Sequence, residues 1–454
     1  MPDIKHFEYL FLGGGKGGKT LAMDLARKGK RVALIEKGMI GGSCINVACI
    51  PSKTLIQNAR NMHVWRSTAA QPNLRADMTP VHANVRAVVN GMVDISRRAF
   101  EQSGLDLVIG TGRFVAPRQI LVRLNDGTEQ LFSGEKVYIN TGTVAAIPDV
   151  PGLRDSRPMT HIEALSLERL PGHLIVLGGG YIGLEMAQAF RRLGSQVTLI
   201  HDMPRVAMRE DEDVSVEIQS AFEKDAIRLK LASTVTRVDG ISGTKVTVTL
   251  HDGSSIEGSH ILVAAGRRPV TNDIGLDLAR VDVDELGYIK VDDKLSTTAE
   301  STWAIGEVAG TPMFTHASFD DYRVLKAGIE GRPRSTTSRI VPYALFTDPE
   351  LGRIGINESQ AEALGIKARV ARLPMTAVPR ARTNGTTRGF MKALVAPDSG
   401  RILGFTMVGS GAGEVTSVVQ MAMLGGLHYT AIRDAIIAHP LLAEGLNLLF
   451  ATLD

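Results

Sequence analysis

Two cysteines carry the clearest chemical signal in the sequence. They are Cys44 and Cys49, five positions apart, and the chain contains no others. A structural metal site usually takes four protein ligands, whereas a dithiol that cycles with a disulfide needs two sulfurs, so the pair predicts redox chemistry. In an ideal α-helix, Cα atoms five residues apart are separated by about 8–9 Å, but a disulfide needs about 4.4–6.8 Å. The segment must therefore depart from an ideal helix if the two sulfurs are to bond; two buried, inert thiols are the alternative interpretation.

The glycine pattern G-x-G-x-x-G occurs twice, about 165 residues apart. The two copies are Gly13, Gly15 and Gly18, and Gly178, Gly180 and Gly183. Each copy lies between a predicted strand and a predicted helix, which is the context of a dinucleotide-binding turn. There the glycines allow a tight turn and bring a pyrophosphate close to a helix N-terminus. Glu36 ends the strand that follows the first copy, where it is placed to accept hydrogen bonds from a ribose.

The first copy also satisfies a second pattern, G-x-x-x-x-G-K-[ST], from Gly13 to Thr20. This is the pattern of a nucleotide triphosphate loop, and taken alone it favours an ATPase or a kinase. That interpretation leaves Glu36, the second glycine pattern and the cysteine pair unexplained, and no clear acidic metal-binding strand follows. We therefore favour a dinucleotide site, in which Lys16 and Lys19 either attract the phosphates or are simply solvated.

The elements that must position these residues form a repeated unit. A strand, a glycine turn, a helix and a second strand are predicted from Phe7 to Ile35 and again from Leu174 to Ile200. After about Ser338 the composition changes, and alternating strands and helices predict a third, α+β domain. A length of 454 residues agrees with about three domains.

The composition excludes several classes of protein. Lys plus Arg is 51 and Asp plus Glu is 48, a net charge of +3, which is too balanced for a dedicated binder of nucleic acid or membrane surfaces. Neither a long apolar run nor a signal-peptide pattern is present, so we expect no membrane partner and a cytoplasmic location.

The stretch Gly41–Lys53 resembles the class I pyridine nucleotide–disulfide oxidoreductases, which include dihydrolipoyl dehydrogenase, glutathione reductase and mercuric reductase. Further family motifs follow in order along essentially the whole chain. They are Asn140–Gly142, Ala264–Pro269, Trp303–Gly310, Phe346–Glu350 and His439–Glu444. The resemblance implies an α/β fold with two Rossmann-like dinucleotide-binding domains and a C-terminal α+β dimerisation domain.

The resemblance also implies domain boundaries and partners. Residues 1–145 and 267–337 would form a discontinuous FAD-binding domain, residues 146–266 an NAD(P)H-binding domain, and residues 338–454 the dimerisation domain. Two copies of the chain would share each active site. The partners would then be a second copy of the chain and a small-molecule, disulfide or metal-ion acceptor, with no nucleic acid and no resident metal.

Roles for individual residues follow from the same resemblance. FAD would bind at Gly13, Gly15, Gly18, Glu36, Lys53, Gly142, Gly306 and Glu307, and the nicotinamide nucleotide at Gly178, Gly180, Tyr181, Gly183, His201, Arg205 and Gly266. Cys49 would be the thiol next to the flavin and Cys44 the thiol that exchanges with substrate. His439 would be the base, because its ordinary pKa is near neutral, and Glu444 would orient it.

Two further family residues would flank the site. Lys53 and Glu185 match an ion pair beside the flavin, and Tyr181 matches a gate over the nicotinamide pocket, although a tyrosine that only packs there is the alternative. After the strand that ends at Ile200, the sequence has His201 rather than an acid, and Arg205 and Arg209 follow. Basic groups suit a 2′-phosphate, so NADPH is favoured over NADH, with Asp202 as the contrary sign.

Three departures from the family pattern stand out. Ala48 replaces a glycine before the second cysteine, and Glu307 replaces an aspartate near the ribityl chain. The C-terminal sequence resembles the mercuric reductase branch but lacks its additional cysteine pair. We therefore predict an NADPH-dependent flavoprotein that reduces a disulfide or a metal ion. Dihydrolipoyl dehydrogenase, a nucleotide triphosphate-binding protein and a flavin-binding protein without catalysis are the alternatives.

Overall fold

The first part of the chain folds around a parallel sheet. The structure is a computed structural model that describes residues 4–68, 74–332 and 334–453. Its first strands are β1 (Ile4–Leu12), β2 (Val32–Glu36), β3 (Asp106–Ala116), β4 (Gln119–Leu124), β5 (Glu129–Ile139) and β6 (Thr143–Ala145). The helices between them are α1 (Lys16–Arg27), α2 (Ser43–Asn46), α3 (Cys49–Thr68) and α4 (Met78–Ser103). Strand β1 pairs in parallel with β2 and β5, so the turn after β1 lies at the edge where α/β sheets bind ligands.

The second part repeats this arrangement. Its strands are β7 (His173–Leu177), β8 (Gln196–Ile200), β9 (Arg228–Lys230), β10 (Val235–Ile241), β11 (Lys245–Leu250), β12 (Ser255–Gly258), β13 (His260–Val263) and β14 (Arg267–Pro269). Its helices are α5 (His161–Leu165), α6 (Tyr181–Leu193) and α7 (Glu212–Lys224). A parallel sheet has the order β13-β7-β8-β9, with an antiparallel sheet β10-β11-β12 beside it. Strands β6 and β14 pair with each other and carry the chain into and out of this part.

The third part begins by returning to the first sheet. Its strands are β15 (Thr302–Ala304), β16 (Tyr343–Leu345), β17 (Leu351–Gly355), β18 (Arg369–Pro374), β19 (Phe390–Val395) and β20 (Ile402–Val408). Its helices are α8 (Thr315–Ile329), α9 (Glu358–Ala363), α10 (Pro379–Thr383), α11 (Ala412–Leu424), α12 (Thr430–Arg433) and α13 (Gly445–Ala451), with short 3₁₀ helices at Gly306–Ala309 and Met375–Ala377. Strand β15 extends the first sheet beside β5, whereas β16 to β20 form a separate antiparallel sheet.

Apolar burial fixes these elements in place. The strands that precede the two glycine turns, β1 and β7, are almost completely buried over their last four residues, as expected for parallel strands covered on both faces. Helix α3, which starts at the second cysteine, packs on α6, which starts at the second glycine turn. The cysteine segment is therefore held between the two parallel sheets.

The predicted fold class is confirmed, including both strand–turn–helix–strand units and a C-terminal α+β part. Within residues 4–68, 74–332 and 334–453, no helix is both long enough and apolar enough to cross a membrane.

Candidate active site

Both glycine turns and both cysteines line one large cavity. Its volume is about 2260 Å³, more than twice the upper end of about 1,000 Å³ for a typical small-molecule pocket. The cavity runs from Gly13–Gly15 past Cys44 and Cys49 to Gly178–Gly180. Its size suits two extended dinucleotides.

The first glycine turn is shaped by Asn140. A Cβ on Gly15 would lie 2.5 Å from Asn140 Oδ1, and a Cβ on Gly18 would lie 2.7 Å from the same atom. Gly13 has φ of +99°, and a Cβ there would meet the Asn140 carbonyl oxygen at 2.3 Å. The Asn140 side chain accepts from the Gly18 N–H at 3.1 Å and donates to the Ile305 carbonyl at 2.6 Å. The turn therefore presents bare backbone at the start of α1, as a pyrophosphate requires.

Glu36 lies next to this turn, where a ribose is expected. Its carboxylate accepts from the backbone N–H of Gly14 at 2.8 Å and from those of Gly38 and Met39 at 2.9 Å. A carboxylate offers about four acceptor positions, so capacity is left for a ribose hydroxyl. The side chain lines the cavity, which agrees with the predicted role.

Glu307 lines the cavity but is also tied to protein groups. One carboxylate oxygen contacts the Thr143 hydroxyl and lies 3.4 Å from Arg267 Nε. Arg267 in turn donates to the Thr143 hydroxyl at 2.8 Å and to the Thr143 carbonyl at 2.9 Å. The extra methylene of Glu307 thus lets the carboxylate reach the β6–β14 pair. The predicted glycines beside this cluster all have positive φ: Gly142 at +70°, Gly266 at +133° and Gly306 at +75°.

The cysteine segment is not an ideal helix, as its spacing predicted. Helix α2 ends at Asn46, Val47 has φ of −141°, and α3 begins at Cys49. The Asn46 amide donates to the Gly42 carbonyl at 2.9 Å, and Lys19 Nζ donates to the Gly41 carbonyl at 2.9 Å, which holds the approach to the segment. The break lets the two sulfurs contact each other.

The two thiols have opposite acidities. The neighbouring Cys44 thiol makes the largest contribution to the acidity of Cys49. With smaller contributions from Thr315 and Lys53, this interaction outweighs burial and lowers the pKa of Cys49 to about 6. The same interaction, together with burial, raises the pKa of Cys44. Cys49 Sγ lies 3.4 Å from Thr315 Oγ1, at the N-terminus of α8. Cys49 is therefore the sulfur that carries the negative charge near neutral pH.

Lys53 and Glu185 form an ion pair beside Cys49. Lys53 Nζ lies 2.6 Å from Glu185 Oε2, and the Glu185 side chain is 7% exposed. The second Glu185 oxygen accepts from the Phe346 N–H at 3.0 Å, and Lys53 Nζ lies 4.9 Å from the centre of the Phe346 ring. Because one partner is buried and both are held by further contacts, the pair is a fixed charge in the site rather than a mobile surface bridge.

The second glycine turn resembles the first. Gly178 has φ of +114°, and a Cβ there would lie 2.4 Å from the Ala264 carbonyl oxygen. A Cβ on Gly183 would lie 2.0 Å from the Gly178 carbonyl oxygen, whereas Gly180 faces open space. Tyr181 begins α6 and lines the cavity, one helical turn before Glu185. This turn, too, offers bare backbone at a helix start.

The basic residues near the second turn have different surroundings. His201 lines the cavity, with its Nδ1 3.1 Å from Asp202 Oδ1, and burial lowers the pKa of its imidazole. Arg205 donates instead to the Glu210 carbonyl at 2.9 Å and to the Ser215 hydroxyl at 3.2 Å. Of the described arginines in this loop, Arg209 lines the cavity.

His439 and Glu444 form the predicted pair. His439 Nδ1 lies 3.0 Å from both Glu444 carboxylate oxygens, and the histidine side chain is 66% exposed. Across the described residues, neither of them lines the cavity of their own chain. That placement is what a shared site requires, because the pair is then free to face the cavity of a second copy.

Sequence reasoning missed two groups of the site. Thr315 contacts Cys49, and the buried Glu210 accepts the Tyr181 hydroxyl. No role for either residue followed from the sequence. Among the described residues, no group of three or more His, Cys, Asp or Glu side chains could hold a metal ion.

Comparison with known proteins gives consistent matches along the chain. The family model described as pyridine nucleotide-disulphide oxidoreductase matches residues 7–321, and that of the corresponding dimerisation domain matches residues 341–449. The chain is 35% identical over 455 residues to the probable pyridine nucleotide-disulfide oxidoreductase RclA of Escherichia coli, covering 99% of each protein. It is 33% identical over 456 residues to a mercuric reductase of Streptomyces lividans, covering 97% of this chain and 95% of the relative.

A solved structure agrees closely with the fold. It is the Cu(II) complex of the HOCl-induced flavoprotein disulfide reductase RclA from Escherichia coli, with a TM-score of 0.92 and 34% identity. The match covers 99% of this chain and 100% of the solved chain.

Proposed function

Because the chain belongs to the pyridine nucleotide-disulphide oxidoreductase family, we propose that it passes electrons from NADPH through FAD to a Cys44–Cys49 disulfide and on to a disulfide or metal-ion acceptor. The family uses FAD and NAD(P)H, and the chain is accordingly an NAD(P)H-dependent flavoprotein oxidoreductase. The cysteine roles, the choice of NADPH and the acceptor are the finer parts of the proposal. It includes the division of the chain into the FAD, NAD(P)H and dimerisation domains given above.

One observation carries the proposal: Cys49 has its pKa lowered to about 6 and lines the same cavity as both glycine turns. When bound, FAD would accept a hydride from the nicotinamide and deliver an electron pair to a disulfide. Gly13–Gly18 and Glu36 would hold its pyrophosphate and ribose, and Gly178–Gly183 would hold the second nucleotide. Cys44, with smaller contributions from Thr315 and Lys53, would keep Cys49 as a thiolate. As the neutral thiol, Cys44 would also meet the substrate.

His439 and Glu444 would serve the partner subunit's site. Glu444 holds His439 at Nδ1, which leaves Nε2 to take the proton of a thiol and to return it to a leaving thiolate. The match to a dimerisation domain supports a homodimer. In that assembly each cavity would use cysteines from one copy and the histidine from the other.

The acceptor must be able to approach two sulfurs. A dithiol that closes to a disulfide releases two electrons and two protons, enough to reduce one small disulfide to two thiols, one Hg(II) to Hg(0), or two Cu(II) to two Cu(I). The mercuric reductase relative and the Cu(II) complex of RclA support a thiol-binding metal ion, Hg(II) or Cu(II). For the nucleotide, Arg209 lines the cavity and supports the 2′-phosphate of NADPH. His201, whose pKa is lowered by burial, offers a neutral imidazole at the position where an acid would select NADH.

The first experiment is an anaerobic titration of the purified flavoprotein with NADPH and with NADH, followed by turnover with a small disulfide, Cu(II), Hg(II) and dihydrolipoamide plus NAD⁺. We expect a yellow protein that NADPH bleaches more efficiently than NADH. A colourless protein would favour a nucleotide triphosphate-binding protein. A yellow protein that neither nucleotide bleaches would be a flavin-binding protein without catalysis, and rapid NAD⁺ reduction by dihydrolipoamide would identify a dihydrolipoyl dehydrogenase.

Cys49→Ser tests the relay itself. We expect this variant to retain FAD and to lose disulfide turnover, because its remaining thiol cannot form the disulfide. Cys44→Ser should lose turnover as well, yet keep a long-wavelength absorption from the Cys49 thiolate beside the flavin. Undiminished turnover in Cys49→Ser would contradict the mechanism.

A further inference from the structure

We propose that Glu210 is a latch that holds Tyr181 across the nicotinamide end of the cavity, and that Tyr343 sets how much free energy is needed to release it. The inference rests on the proposed function, since it assumes that a nicotinamide nucleotide enters this cavity. In it, Glu210 and Tyr343 are positioning residues that act through Tyr181.

Glu210 is a buried carboxylate with two phenol donors. Its Oε1 accepts from the Tyr181 hydroxyl at 2.5 Å and from the Tyr343 hydroxyl at 2.8 Å. Its Oε2 lies 3.2 Å from Arg353 Nη1, and both side chains are nearly inaccessible to solvent, at 0% and 3% exposed. Hydrogen bonds to an ionised acceptor away from water are among the stronger ones in proteins, so the two phenols are firmly held in this arrangement.

The carboxylate sits on a loop that cannot easily move. Arg353 Nη1 also donates to the Arg209 carbonyl at 2.9 Å. On the other side of Glu210, Asp211 accepts from Lys392 Nζ at 2.8 Å and from the Ser359 hydroxyl at 2.9 Å. Arg353 and Lys392 lie on β17 and β19 of the C-terminal sheet. The latch is therefore anchored to that sheet by two buried cations.

Tyr343 is fixed as well. Its ring stacks on Phe314, with centroids 5.4 Å apart and planes 4° apart, and the Arg353 guanidinium lies 5.6 Å from its centre. Tyr181, by contrast, is the first residue of α6 and lies against Tyr343 at a tilt, with centroids 5.7 Å apart. Of the two tyrosines, Tyr181 makes the tilted contact and Tyr343 the parallel stack, so Tyr181 is the ring that would move.

Tyr181 lies on α6 between the second glycine turn and Glu185, whose ion pair with Lys53 would flank the flavin. Tyr181 and Glu185 are four residues apart on α6 and so share one face of the helix. Glu185 holds Lys53, with 2.6 Å between Lys53 Nζ and Glu185 Oε2. A dinucleotide that starts at the second glycine turn and ends beside the Lys53–Glu185 pair therefore runs along the face that Tyr181 covers. Entry of the nicotinamide half breaks the Tyr181–Glu210 hydrogen bond, whereas the adenosine half leaves it intact.

The two tyrosines should have opposite effects on nucleotide affinity. Tyr181→Phe removes the bond that must break, so a ligand that needs the open gate should bind about 10-fold more tightly. Tyr343→Phe removes the donor that would stay on Glu210 after opening, so the open state is left less satisfied. That variant should bind the same ligand several-fold more weakly. A purely structural role would make both changes weaken binding.

Calorimetric titration of the oxidised holoenzyme measures these affinities without turnover. NADP⁺ is compared with adenosine 2′,5′-bisphosphate, which lacks the nicotinamide half; if the wild type prefers NADH, NAD⁺ and ADP replace them. We expect the opposite shifts for NADP⁺ and unchanged affinity, within about twofold, for the bisphosphate. Tyr288→Phe, a matched change outside the cavity lining, is the control and should alter neither.

Glu210→Gln addresses the carboxylate directly. It should tighten NADP⁺ binding as Tyr181→Phe does, because a neutral amide holds the phenol less strongly. If the unpaired Arg353 prevents that variant from folding, the comparison of Tyr181→Phe with Tyr343→Phe still tests the proposal. The proposal would be overturned if both tyrosine variants changed the affinity for NADP⁺ in the same direction. It would also be overturned if NADP⁺ and the bisphosphate showed equal changes in affinity. A wild type whose flavin neither nucleotide reduces would instead overturn the proposed function.

Discussion

Replacing Cys44 tests whether the acidity of Cys49 comes from its neighbouring thiol. Cys44→Ala removes the hydrogen-bond donor, whereas Cys44→Ser keeps a donor at nearly the same place. The chain has only these two cysteines, so each variant carries Cys49 as its sole thiol. Any alkylation measured in either variant therefore reports on Cys49 alone.

The size of the effect follows from the contacts of Cys49. The pKa of the thiol falls from an ordinary 9.0 to about 6, and the Cys44 hydrogen bond is the largest contribution. A hydrogen bond to a charged group contributes about 1.5–3 kcal/mol. Its loss in Cys44→Ala should therefore raise the pKa of Cys49 by about 1 to 2, to between about 7 and 8.

The assay is the rate of alkylation by iodoacetamide between pH 5 and pH 9, followed by mass spectrometry. The thiolate is the reactive form, so the rate should rise with pH and level off above the pKa. In Cys44→Ser the midpoint should stay near the value of about 6. In Cys44→Ala it should move upward, so that most Cys49 is unreactive at pH 6 and becomes reactive only above neutral pH.

Equal midpoints in the two variants would refute this account of the acidity of Cys49. Thr315→Val, combined with Cys44→Ser, is a useful second measurement, because Thr315 Oγ1 lies 3.4 Å from the sulfur and makes a smaller contribution. Its midpoint should rise by less than that of Cys44→Ala. A larger rise would assign the acidity to the start of α8 rather than to the thiol pair.

Two further outcomes concern the assembly of the site. When Cys49→Ser and His439→Ala subunits, each inactive alone, are mixed and reassociate at random, we expect about a quarter of wild-type turnover, since half of the dimers are mixed and each of these has one intact site. No recovery in verified mixed dimers would mean that the site is not shared. Gly15→Ala should lose most of its FAD, measured as the ratio of flavin to protein absorbance, because the added Cβ would lie 2.5 Å from Asn140 Oδ1; full retention of FAD would contradict the pyrophosphate cradle.

The glycine turns could be predicted because their physical requirements are local. A left-handed φ at Gly13 and a Cβ-free approach at Gly15 are demands that only glycine meets, and they leave a fixed pattern in the sequence. The irregular helix at the cysteines was predictable for the same reason, since the spacing of two sulfurs alone sets a limit on the backbone. Both turns and the break between α2 and α3 agree with these expectations.

The contacts that tune the site were not predictable in this way. Thr315 reaches Cys49 across 266 residues, and Tyr343 reaches Glu210 across 133. Nothing local marks a threonine or a glutamate for such a contact, because the partner is brought by the packing of sheets that the sequence specifies only collectively. Arg205 shows the opposite case, a predicted contact that does not form. Its position in the sequence suits a nucleotide phosphate, but its side chain donates to the Glu210 carbonyl and the Ser215 hydroxyl instead of lining the cavity.

The C-terminal sheet has consequences for both ends of the electron path. Through Arg353 and Lys392 it fixes the loop that carries Glu210, at the end where the nucleotide enters. The same part of the chain carries His439 and Glu444, which would transfer protons at the sulfurs of the second copy. A change that loosens this sheet should therefore weaken nucleotide discrimination and proton transfer together, even where it touches neither cofactor. Separating these effects requires substitutions such as Tyr343→Phe, which alter one hydroxyl and leave the strands intact.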